Sequence, residues 1–80
     1  MVGEDQLQVA FGLAVRRVRV AAGMTQQDLA QVSGVDRTYI SGLERGHCNP
    51  TLTIQGKLAA SLGLPLSSLI SEAEAINLAL

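Results

Sequence analysis

Arg37, Thr38 and Ser41 are the residues of this 80-residue chain whose types and spacing could do recognition chemistry. On a helix they share one side, because positions three and four apart are surface neighbours. Arginine offers a planar fork that fits O6 and N7 of guanine. Threonine offers a hydroxyl and a methyl group that suits thymine. That chemistry is the reading of base edges in a DNA major groove. Gly42 follows on the same surface, where a missing side chain is expected to permit close approach. Gln26 and Gln27 open another helical segment, where free backbone N–H groups and the helix dipole favour an anion such as a backbone phosphate. Tyr39, Arg45, Asn49 and Thr51 are further phosphate candidates. Tyr39 suits a core edge, with its hydroxyl in water, equally well.

Other chemistry is thinly represented. His47 and Cys48 are adjacent, but two ligands without a second pair make no zinc site. They have no third group that would orient an activated thiol. There are no clustered carboxylates, no metal-ligand spacing and no phosphate loop. No catalytic residue, metal, cofactor or small-molecule ligand is therefore expected, and an enzyme is the least supported class. A single cysteine forms no internal disulfide. Glu4 and Asp5 stand where a secretory signal would carry positive charge, and the uncharged stretches are broken by Gly, Pro, Ser or Gln. These features predict a cytoplasmic protein with no membrane segment.

The overall charge of −1 at first argues against nucleic acid. Its distribution argues for it. All six basic residues (Arg16, Arg17, Arg19, Arg37, Arg45 and Lys57) fall between positions 16 and 57. Only Asp28, Asp36 and Glu44 oppose them there, so this stretch carries a net +3 while both ends are acidic. Local charge sets the potential that a phosphate backbone meets.

The elements that must position these residues are helices. Apolar residues make up 48% of the chain, with no Trp, one Phe and one Tyr, so the core is aliphatic and suits helix-on-helix packing. No alternating stretch is long enough for a strand. The predicted class is all-α, with five helices in one domain spanning residues 1–80 and a core over about residues 7–71. A first helix over about Leu7–Ala22 carries Leu7, Phe11, Val15, Val18 and Ala22 as one apolar stripe, with Arg16 and Arg17 as solvated charges. Gly23 ends it. Thr25 caps a second helix, with Asp28 as the return arm of a capping box, and Leu29, Ala30 and Val32 form its buried side. Gly34 closes that helix, Val35 plugs the turn, and Asp36 caps a third helix that buries Tyr39, Ile40 and Leu43. A loop over residues 46–50 precedes a fourth helix from about Thr51 to Gly63. A fifth begins with Pro65 in its first turn and buries Leu66, Leu69 and Ile70. The tail after Ser71 either extends this helix or frays. Two short helices joined through Gly34, over about residues 25–45, can place the second in the groove while the first lies across the backbone.

The run Gly23-Met24-Thr25-Gln26-Gln27-Asp28-Leu29-Ala30, then Ser33-Gly34-Val35, then Tyr39-Ile40-Ser41-Gly42-Leu43-Glu44-Arg45-Gly46 resembles the phage Cro and repressor helix-turn-helix family. The resemblance continues through Asn49-Pro50-Thr51-Leu52 and Lys57-Leu58-Ala59 to Leu62-Gly63, and covers roughly Phe11 to Ile70. It implies that Gln26 holds a phosphate and that Arg37, Thr38 and Ser41 read bases. It also implies that Arg19 pairs with Glu44 and pins the recognition helix to the scaffold. Within the family, the length and the run Asp36-Arg37-Thr38-Tyr39-Ile40-Ser41-Gly42 look most like the controller proteins of restriction–modification systems. The family usually has a leucine one turn into the fourth helix, where this chain has Gln55-Gly56. Ile54, Leu58 and Leu62 offer an alternative stripe, which leaves the register of that helix open.

A single helix-turn-helix reads only a few base pairs, and an 80-residue domain has little spare core. A twofold dimer on double-stranded DNA answers both limits, with Leu66, Leu69, Ile70 and Ile76 as its expected interface. The expected function is a homodimeric transcriptional regulator on a pseudo-palindromic operator. The alternatives are a phage-type repressor and an antitoxin-like interaction module, the latter motivated by the apolar tail Ile76, Leu78 and Leu80.

Overall fold

The order of the elements follows the caps. The computed structural model describes residues 2–80, with side chains from Gln6 onward, so the side chains of Glu4 and Asp5 lie outside the described residues. The chain forms α1 (Val2–Ala21), α2 (Gln26–Ser33), α3 (Arg37–Glu44), α4 (Leu52–Ser61) and α5 (Leu66–Ala79), with no strand among the described residues. The all-α, five-helix expectation is met.

Each short helix starts on a side chain that satisfies an otherwise free backbone donor. The Asp28 N–H donates to Thr25 Oγ1 at 3.0 Å, and the Thr25 N–H donates back to an Asp28 carboxylate oxygen at 2.9 Å. Both arms of the capping box are therefore closed, even with the shorter Asp. The Asp36 carboxylate accepts from the Thr38 N–H at 3.0 Å, and Thr51 Oγ1 accepts from the Ile54 N–H at 3.2 Å. Between α2 and α3, Gly34 takes φ 74°, a left-handed conformation, while its N–H still reaches the Ala30 carbonyl at 2.9 Å. A side chain would strain that backbone, and glycine does not. Val35 is buried beyond it and plugs the turn.

The core is aliphatic, as the composition requires. Ala10, Phe11, Ala14, Val15, Leu29, Val35, Ile40, Leu43, Leu58, Ala59, Leu62, Leu69, Ala73 and Ile76 form one cluster. α1 packs chiefly on α5 and also crosses α3, while α2 meets α3 and α4. At the α1–α3 crossing Gly12 is buried, and a Cβ there would overlap the Leu43 carbonyl oxygen. α3 can sit this close to α1 only because residue 12 has no side chain.

Several boundaries and faces differ from expectation. α1 begins at Val2 and ends at Ala21. Its stripe runs through Ala10, Phe11, Ala14 and Val15, whereas Leu7 and Ala22 are exposed. Two of these four buried residues are alanines, so the apolar face differs from the one that large residues alone suggest. Val32 is exposed, not buried, because Leu29 alone of the large α2 side chains points fully inward. Pro65 takes the N-cap position with extended backbone, one residue before the first turn of α5. The tail extends α5 to Ala79 and contributes Ala73 and Ile76 to the core. In α4 Leu58 and Leu62 are buried and Ile54 packs beside them, so the alternative stripe sets the register, and Gly56 meets no packed neighbour.

Candidate nucleic-acid interface

The outer side of α3 is built from its first residues and its end. Positions 37, 38, 41 and 45 fall within about 100° of arc on a helical wheel. Arg37, Thr38 and Arg45 are exposed there, and Ser41 is half-buried. Tyr39, Ile40 and Leu43 occupy the opposite side, against the core. The Asp36 cap holds the first turn, so Arg37 and Thr38 emerge from an ordered N-terminus.

The orientation of α3 is fixed from below by a buried ion pair. Arg19 Nε and Nη2 donate to the two carboxylate oxygens of Glu44 at 2.7 and 2.8 Å. The pair is bidentate, the stronger geometry for an arginine and a carboxylate. Arg19 Nη1 also donates to the Met24 carbonyl at 2.8 Å, which ties the α1–α2 turn to the same guanidinium. Both residues are buried. The hydrogen bond to Glu44 holds the Arg19 guanidinium above its ordinary pKa, against the opposing effect of burial. The expected juxtaposition of Arg19 and Glu44 is present in this geometry.

Gln26 joins this cluster. Its Nε2 donates to Glu44 Oε1 at 3.0 Å, so the first residue of α2 and the last of α3 are linked side chain to side chain. Gln27, beside it, is exposed. Gln27, Gln31, Gly34, Asp36 and Arg37 line one shallow cleft between α2 and the start of α3. Gln31 was not singled out from sequence; its spacing of four from Gln27 was the available signal.

The remaining candidates divide. Arg45 is exposed, and its Nη1 donates to Ser41 Oγ at 2.8 Å. Thr51 is exposed, with its hydroxyl oxygen occupied as the cap of α4. Asn49 is exposed and lines a separate groove of about 480 Å³ with Leu7, Gln8, Pro50, Gln55 and Glu74. Tyr39 is half-buried against the core, and burial pushes its phenol above the ordinary tyrosine range. Its position on α3 is opposite the Arg37–Ser41 face, which favours the core-edge role over phosphate contact.

Three expectations are corrected. Gly42 is buried and does not open the outer face; a Cβ there would lie 3.3 Å from Cys48 Sγ, so its small size makes room for the Cys48 thiol. Leu69 is fully buried within its own chain, and Ile76 nearly so, which removes both from a surface that could meet a second copy. Leu66 and Ile70 remain partly exposed. Gly12 was missed altogether, although a glycine inside a strongly helical run is a sequence signal for close packing.

No group of three or more His, Cys, Asp or Glu side chains able to hold a metal ion occurs among the described residues. No described helix is long and apolar enough to cross a membrane.

Residues 15–69 match the helix-turn-helix family. A hypothetical transcription factor of Neisseria meningitidis is 37% identical over 67 residues, which are 84% of this chain and 63% of that protein. The restriction–modification controller protein C.AhdI of Aeromonas hydrophila is 42% identical. It superposes with a TM-score of 0.76 over 78% of this chain and 94% of its own. The controller protein C.Esp1396I, solved as a tetramer with its natural 35-base-pair operator, is 35% identical. Its TM-score is 0.75 over 85% of this chain and 95% of its own.

Proposed function

This chain belongs to the helix-turn-helix family, and from that premise we propose that it is a sequence-specific DNA-binding transcriptional regulator. It acts as a homodimer on a pseudo-palindromic operator, in the cytoplasm, as the controller of a restriction–modification system. The observation that carries this reading is the exposed face of α3. Arg37 and Thr38 project from a capped N-terminus on a helix pinned by the Arg19–Glu44–Gln26 cluster. A reading head must hold its side chains in a fixed register against the groove, and this arrangement does so. The similarity to C.AhdI and to C.Esp1396I, the latter crystallised on its operator, supports the controller assignment.

In this reading Arg37, Thr38 and Ser41 meet base edges. Gln26 and Gln27, at the start of α2, meet backbone phosphate, with Asn49 and the start of α4 at Thr51 as flanking contacts. Leu66 and Ile70, the partly exposed apolar residues of α5, form the surface toward the second copy. No catalytic role is assigned to any residue.

Selection of binding sites from random DNA, followed by salt titration of the selected duplex, tests this function. A twofold-symmetric site is expected, preferred over random duplex by about a thousandfold or more. Arg37→Ala is expected to cost about 1–3 kcal/mol and to relax preference at one position in each half-site. Equal affinity for selected and random duplexes would overturn the function.

A further inference from the structure

Arg45 was expected to touch phosphate, yet its guanidinium is directed to Ser41. Arg45 Nη1 donates to Ser41 Oγ at 2.8 Å, from the end of α3 back to the position one turn earlier. A guanidinium has donors only, so the hydroxyl oxygen must be the acceptor in this pair. A serine hydroxyl inside a helix can give its own proton to the carbonyl one turn back. Ser61 does so in this molecule, donating to the Lys57 carbonyl at 2.8 Å. Ser41 makes no such bond among the described hydrogen bonds, where Arg45 is its partner. One lone pair of Ser41 is therefore occupied by a cation, while its proton is uncommitted. The adjacent positive charge also polarises the O–H bond and strengthens it as a donor.

We propose that Arg45 is a specificity-determining positioning residue that fixes the Ser41 hydroxyl as a hydrogen-bond donor toward the bases. Held this way, Ser41 selects a major-groove edge that presents an acceptor: purine N7, guanine O6 or thymine O4. It disfavours cytosine, whose edge offers an amino donor and no acceptor. Ser41 keeps a second lone pair, but the adjacent positive charge opposes an incoming amino donor; without the guanidinium both lone pairs can accept, and the exclusion of cytosine is lost. The inference rests on the reading of α3 as the recognition helix. It assigns Arg45 to the specificity of one base pair and not to general affinity.

The test is site selection from random DNA with the wild-type chain, Ser41→Ala, Arg45→Met, Arg45→Lys and the Ser41→Ala/Arg45→Met double variant. The base pair read by Ser41 is the one whose preference disappears in Ser41→Ala. The wild type is expected to disfavour cytosine there by about fivefold to tenfold, the scale of one hydrogen bond lost with an unpaired donor left behind. Arg45→Met is expected to admit cytosine at that position alone, Arg45→Lys to restore part of the exclusion, and the double variant to behave like Ser41→Ala. The proposal is overturned if Arg45→Met weakens all sequences alike and lowers the salt slope by about one, as loss of a phosphate contact does. It is also overturned if Ser41→Ala leaves every position unchanged. A wild-type chain that selects no sequence at all removes the DNA-reading function itself. A wild type that selects a site, with Arg45 and Ser41 variants acting independently, removes only this inference.

Discussion

Gln26 Nε2 donates to Oε1 of Glu44 at 3.0 Å, and that same oxygen accepts from Arg19 Nη2 at 2.8 Å. One carboxylate oxygen therefore joins α1, α2 and α3. Glu44 lies at the end of α3, Gln26 at the start of α2, and Arg19 in the last turn of α1. The angle between α2 and α3 is the geometric core of a helix-turn-helix, and it is held at both ends: by Gly34 and Val35 in the turn, and by Glu44 on the far side.

This cluster should be costly to break and inexpensive to replace. Arg19→Met or Glu44→Gln alone leaves the other charge buried without its partner, and each is expected to lose about 3–5 kcal/mol of stability in urea unfolding. Arg19→Met/Glu44→Leu, which removes both charges, should recover much of that loss. If its DNA affinity nevertheless stays low, the pair sets the helix angle as well as stability. A double variant no more stable than either single one would contradict the desolvation argument.

Gln26→Ala separates two roles of one side chain. Loss of the bond to the Glu44 carboxylate should lower stability by about 1–2 kcal/mol, since the acceptor is charged and partly shielded from water. Loss of a phosphate contact should weaken selected and random duplexes by the same factor. A shifted site preference in Gln26→Ala, measured by repeated selection, would show that α3 has moved and would contradict a pure phosphate role.

Acidification should loosen α2 first at its N-terminus. The Thr25 backbone N–H, and then its hydroxyl, hold the Asp28 carboxyl below the ordinary aspartate range. A carboxyl with a depressed folded pKa stabilises the fold above its unfolded value of about 3.9 and ceases to do so as pH falls through the lower folded value. The capping contribution should therefore be intact at neutral pH and fade below about pH 4. Thermal unfolding of wild type and Asp28→Asn across that window checks it: the two curves should converge toward the acid end. Curves that stay parallel would remove Asp28 from the acid response.

How legible these features were depends on whether a side chain or its absence carried the signal. Thr25, Gly34 and Asp36 are readable because capping and left-handed turns are local chemistry, decided within four residues. The Arg19–Glu44 pair spans 25 positions, and only the family resemblance pointed to it. Gln26–Glu44 depends on how tertiary packing sets α2 against α3, so composition and spacing do not indicate it. Ser41 and Arg45, by contrast, are four apart on one exposed helix face, and only the orientation of the pair needs the structure. The buried face of α1 runs through Ala10 and Ala14, small residues that carry little weight in a stripe drawn through large apolar side chains. Gly42 was assigned to the wrong side of α3 for a related reason: a missing side chain fits an outer surface and a tight internal contact equally well until the neighbour, here Cys48, is known.

Two glycines inside helices give opposite predictions from the same substitution. At Gly12 a Cβ would overlap the Leu43 carbonyl oxygen and also come within 3.2 Å of Glu44 Cα. Both obstacles are backbone, so they yield only if α1 and α3 separate. Gly12→Ala should therefore cost about 1–3 kcal/mol or more, despite alanine's better helix propensity. Because the displaced segment carries Glu44, DNA affinity should fall further than the stability loss alone explains. At Gly56, by contrast, nothing lies within 4 Å of an added Cβ. The backbone of α4 there is helical, and the register set by Leu58 and Leu62 leaves position 56 without a packing role. Gly56→Ala should raise stability by about 1 kcal/mol with DNA binding unchanged. Urea unfolding of the two variants side by side decides the matter. If Gly12→Ala stabilises like Gly56→Ala, α1 and α3 are not in backbone contact, and the close crossing that seats the recognition helix is wrong.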